Sequence, residues 1–207
     1  MSLSTELIAA MQSASSSLST NTDGELILPE RKRIWRAMGD LLVEGNRAIK
    51  GIGLKRRTKL ARLCVQKVLA LWDEVWPDND GPRQMLITAD QYLNGAIDYD
   101  VAWERKNSYW SELDDLIYEG NHLTIVNVGF AAVKVVTTAL VDEIFDPQDP
   151  EEDIRDESLD PYQWDASLYA SAAYAGGFTW EEQSDKLRRR EFWQWYLGEA
   201  VPSAWEA

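Results

Sequence analysis

Apolar residues recur at three- and four-residue steps along most of the chain, the period of one face of an α-helix. The clearest stretch runs from Lys59 to Gly95. Leu60, Leu63, Cys64, Val68, Leu71, Trp72 and Val75 share a face, and Val65, Leu69 and Trp76 widen it. A helix this apolar around its circumference is covered by others. Trp76-Pro77 ends it, because proline pushes the preceding residue out of the helical region. Asp78 to Gly81 make a turn and Pro82 suits a first helical position. Met85, Leu86, Ala89, Tyr92 and Leu93 then form a second stripe, closed by Gly95. The pattern predicts a helical hairpin.

Upstream, Leu3, Leu7, Ile8 and Met11 suit one short amphipathic helix, whereas Ser13 to Asn21 has the Ser/Thr composition of a flexible linker. Residues 1–24 are therefore expected to be mobile or docked weakly on the body, and 25–207 a single domain. A helix is predicted from Glu30, with Ile34, Trp35, Met38, Leu41 and Leu42 inward, Arg31, Lys32, Arg33 and Arg36 outward, and Gly39 weakening its middle.

Downstream, Asp98 is a good N-cap for a helix carrying Ala102, Trp103, Tyr109, Trp110, Leu113, Leu116 and Ile117. Leu123 to Phe145 is nearly all apolar. Its β-branched residues favour a strand, its length a buried helix, and its helical flanks decide for a helix lying beside Leu60–Trp76. Residues 146–160 are acidic with two prolines and read as an exposed loop. Asp160-Pro161 is predicted to start another helix, with a small-residue face at Ala172 and Ala173. Thr179 and Glu182 form a capping box before a last helix rich in aromatics, which Pro202 stops. The sum is an all-α fold, an irregular or orthogonal bundle of about seven helices.

Composition narrows the function. The 207 residues carry a formal net charge of −14, which disfavours binding to nucleic acid or an anionic membrane, since both need a basic face. It suits solubility and encounter with a basic protein. No basic start with a long apolar run marks a secretory signal, and no uncharged apolar stretch reaches the length of a membrane span. The expected location is cytoplasmic. A single cysteine, Cys64 on an apolar face, rules out a disulfide framework within one chain. The one histidine, His122, lacks partners for a triad or a metal site and is expected to cap or pack. No nucleophile-elbow, P-loop, dinucleotide or zinc-protease motif is present. Catalytic, cofactor-binding and metal-binding residues are therefore read as none, and the chain as no enzyme.

Two features suit a partner surface. The acidic loop places Asp149, Glu151, Glu152, Asp153, Asp156 and Glu157 close together, in a spacing unlike a calcium-binding EF-hand loop. A basic partner would meet them, unless Arg31–Arg36 and Lys55–Lys59 neutralise them within the fold. Trp193 and Trp195 diverge by about 200° around one helix, so Trp193 needs a second cover: another helix, a mate in a homodimer, or a partner.

The run Lys59 to Gly95 also resembles a segment of the fifth family of predicted bacterial immunity proteins of polymorphic toxin systems. The likeness lies in Val68-Leu69, the acidic turn Asp78 to Asp80, Pro82-Arg83, Ala89, and Tyr92 to Gly95. Arg190 to Trp205, REFWQWYLGEAVPSAW, is similar to the ending of such proteins. The two segments cover about a quarter of the chain and carry no catalytic residue. The resemblance implies a binding protein that sequesters a cognate toxin, and the acidic charge points to a basic, nuclease-like one. The alternative is a structural or regulatory helical protein that self-associates through its aromatic C-terminus.

Overall fold

A computed structural model describes residues 2–118, 120, 122–142 and 155–207. Its elements follow in order. Helix α1 is Thr5–Thr20 and α2 is Leu28–Ala37. A small antiparallel hairpin pairs β1 (Val43–Glu44) with β2 (Arg47–Ala48). Helices α3 (Ile52–Val75), α4 (Gly81–Leu93), α5 (Tyr99–Tyr118) and α6 (Leu123–Val141) come next. After them stand α7 (Ala166–Ala175), α8 (Lys186–Trp195) and α9 (Val201–Trp205). A π-helical turn at Tyr196–Ala200 joins α8 to α9 as one rod, so eight helical rods make up the described residues. The fold is an all-α bundle.

The apolar run that sequence leaves between strand and helix is α6, the hub. It packs against α3 most extensively, and also against α7, α4 and α5. Residues from Val126 to Val136 are all buried. By length and hydropathy α6 would suffice to cross a membrane, with Lys134 its one charge, yet 78% of that window lies inside the domain. Lys134 is accommodated because its Nζ donates to the carbonyl of Tyr162 at 2.6 Å. Gly129 sets the approach of α5: a Cβ there would stand 2.3 Å from Leu113 Cδ2 and 3.2 Å from Tyr109 Oη.

Several local expectations are corrected. Residues 5–20, expected to be largely a mobile linker, form a docked helix. Ser4 caps it by accepting from Leu7 N–H at 3.1 Å. Leu7, Ala10, Ala14 and Leu18 make a buried stripe against α2. The serines stay helical by turning inward, as when Ser16 Oγ donates to Gln12 O at 3.0 Å. Helix α2 ends before Gly39, whose φ of 129° turns the chain and brings it onto Gly53, 3.1 Å from a Cβ placed at Gly39.

Asp160-Pro161 opens only a 3₁₀ turn, and α7 starts after Asp165, which accepts from Ser167 N–H at 2.8 Å and Leu168 N–H at 3.2 Å. The Thr179–Glu182 pattern caps no helix. Glu181 instead accepts from Phe178 N–H, and Asp185 caps α8 through Leu187 and Arg188 N–H. Pro202 does not stop the last rod. It sits in the first turn of α9, where its missing N–H is harmless. His122 has a φ of 58° and makes no side-chain cap hydrogen bond. Its ring packs edge-on against Trp76, centroids 5.9 Å apart.

Candidate partner-binding site

Arg31 has no solvent exposure and is the centre of a buried ionic group. Five parts of the chain converge there. Its Nη2 meets Asp156 Oδ1 at 2.5 Å and Asp165 Oδ2 at 2.9 Å. Its Nη1 donates to Asp156 Oδ2 at 3.1 Å and to the carbonyl of Leu26 at 2.9 Å. Glu25 Oε1 stands 3.7 Å from Nη1. On the far side of Glu25, Oε2 is 3.3 Å from Arg189 Nε of α8. The Arg31 guanidinium also lies 5.4 Å from the Trp193 ring centroid. Two guanidiniums thus face three carboxylates.

The surplus shows at Glu25. Burial pushes its pKa up to about 8, the neighbouring Asp156 and Asp165 push the same way, and Arg31 and Arg189 oppose them. Asp156 is also held above the ordinary carboxylate range, again by burial first. For Arg31, burial acts against the cation, but Asp156 and Asp165 more than offset it. Among the described residues Glu25 Oε1 accepts no hydrogen bond and Arg31 Nε finds no acceptor.

This group lies behind an open cleft of about 370 Å³. Glu25, only 7% exposed, forms its floor. Asp23, Asp156 and Glu157 add carboxylates to its lining, Ile27 gives an apolar wall, and Trp180 stands at the rim, 40% exposed. The Trp180 ring is fixed by parallel stacking on Phe178, centroids 4.8 Å apart. Asp23 pairs with Lys186 at 2.6 Å, and that hydrogen bond lowers its pKa despite some desolvation.

The residues proposed from sequence divide into three groups. Asp149, Glu151, Glu152 and Asp153 lie outside the described residues. Glu157 is exposed at the cleft, 3.7 Å from Arg155. Asp156 and Trp193 are not free surface groups. Asp156 is 7% exposed because it is the principal counter-ion of Arg31, so internal neutralisation holds for this member of the acidic segment. Trp193 has no exposure because the second cover it needs is supplied within the chain, by Arg31, Phe192 and Tyr196. Glu25, Arg31 and Arg189 were missed. Glu25 sits in an apolar run, and the charges of the other two suggest outward faces. Among the described residues no three of His, Cys, Asp or Glu converge as a metal site.

The arrangement is that of a helical protein whose polar chemistry is gathered in buried ion pairs and one acidic cleft. The chain belongs to the immunity protein Imm5 family, which matches residues 11–203. Membership gives it an immunity-type role, binding of a cognate toxin in the general sense. A search of curated proteins finds no match.

Proposed function

We propose that this chain protects its cell by binding a basic, nuclease-like toxin of a polymorphic toxin system and occluding its active face. It acts in the cytoplasm and performs no catalysis of its own. The family match over residues 11–203 carries the reading, and the net charge of −14 supports the basic partner, because opposite charge speeds encounter and fixes orientation. Occlusion needs a rigid surface of about 800 Å² per partner and no reactive group.

The test is co-expression with the toxin encoded beside this gene. Cells carrying the toxin and this chain are expected to survive, while toxin alone kills. Inhibition of the purified toxin should be stoichiometric, with association slowing as salt rises, since the Debye length falls to about 10 Å at 0.1 M. Death of the co-expressing cells overturns the proposal.

A further inference from the structure

We infer that the cleft floored by Glu25 receives an arginine or lysine side chain of the partner. This rests on the proposed binding of a basic toxin and assigns it a contact point. Three features fit a long basic side chain. The first is the lining, in which carboxylates at Asp23, Glu25, Asp156 and Glu157 outnumber the single cation, Arg155. The second is the mix of groups in the lining. Trp180 offers an indole face for a cation, Ile27 offers an apolar wall for the methylene stem, Asp23 and Glu157 stand at the exposed edge, and Glu25 and Asp156 are buried. The third is Glu25 itself. It is more than nine-tenths buried on the cleft floor, and its Oε1 takes no hydrogen bond from the described residues. A guanidinium entering from solvent supplies a donor to Glu25 and offsets the negative charge that ionisation of Glu25 adds to the group.

Proton linkage follows from the same placement. Glu25 faces Arg31 of α2, Asp156, Asp165 at the start of α7 and Arg189 of α8, and Asp23 lines the same cleft. With its pKa near 8, it is mostly protonated at neutral pH. An arriving cation favours the ionised form, so binding expels a proton and tightens as pH rises towards 8.

The probe is N-acetyl-arginine amide, titrated into the full chain with the Trp180 indole N–H followed by NMR. The control is the citrulline analogue, of the same shape without charge. The arginine probe is expected to shift the indole resonance saturably and the citrulline probe to leave it unmoved. Glu157→Gln, at an exposed position, should weaken binding severalfold without changing the melting temperature. Between pH 6 and 8 affinity should rise by a factor approaching tenfold per pH unit, and Glu25→Gln should abolish that rise. Equal binding of both probes, or an unmoved Trp180 signal in the folded protein, overturns the inference.

Failure here and failure of the immunity role are separable. If Glu157→Gln and Trp180→Ala bind and neutralise the toxin as well as the parent chain, the cleft is lost and the immunity role stands. If the arginine probe binds but the chain gives no protection, the reverse holds.

Discussion

Two arginines with no exposed side-chain surface, Arg31 and Arg57, are buried in different company. Arg57 of α3 is saturated. Its Nε and Nη2 grip Asp142 at 2.6 and 2.7 Å, its Nη1 donates to the carbonyls of Trp35 and Gly39, and Nη2 also donates to that of Asp40. Among the described residues one carboxylate meets this cation, and each N–H finds an oxygen. That arrangement ties the end of α6 and the end of α2 to α3. Arg31 and Arg189 together face three carboxylates, Arg31 Nε finds no acceptor among the described residues, and Glu25 between the two arginines lines the cleft. A closed pair is a fastener. An imbalanced group behind an opening is poised to interact with something outside.

The comparison can be broken at three points. Asp142→Asn removes the charge that Nε and Nη2 of the buried Arg57 both grip and should cost about 3–5 kcal/mol in denaturant unfolding. A loss below about 1 kcal/mol would show that the pair is not the fastener described. Asp156→Asn should cost less, about 1–3 kcal/mol, because Arg31 keeps Asp165 and Glu25. Equal losses for the two variants would erase the distinction between the sites.

The smallest effect is one of slope. Glu25 keeps its proton in the fold up to about pH 8 and releases it near its ordinary 4.5 when unfolded. Its contribution to stability is therefore complete below pH 4.5 and lost as pH rises to 8, by at most about 1.4 kcal/mol per unit. Glu25→Gln should flatten that part of the stability–pH curve. An unchanged slope in the variant would mean that Glu25 is already ionised in the fold and does not hold its proton up to pH 8.

What the sequence showed and hid follows from the range of the interactions. The α3–α4 hairpin and α6 were legible because helical period, Pro77 and apolar length act within one or two turns of chain. Arg31 was read as outward because a charged residue on a helix normally faces water. What reverses this is Asp156, 125 positions away. No local pattern announces such a partner, and the same is true of the cleft, whose floor and rim come from Glu25 and Trp180. Helix α1 was concealed by its serines, whose composition outweighed a legible stripe at Leu7, Ala10, Ala14 and Leu18. The T-W-E-E pattern at Thr179 shows the opposite error: a motif present in letters, with Asp185 performing the capping six residues later.

The central place of α6 has a consequence for synthesis. Helices α3, α4 and α5 precede it, and each packs against it more extensively than any of the three packs against another. A chain growing from its N-terminus at about 5–20 residues per second therefore presents three helices with open apolar sides until the hub emerges. Assembly is gated by one late arrival, and the interval before it is when this protein most needs shielding from aggregation.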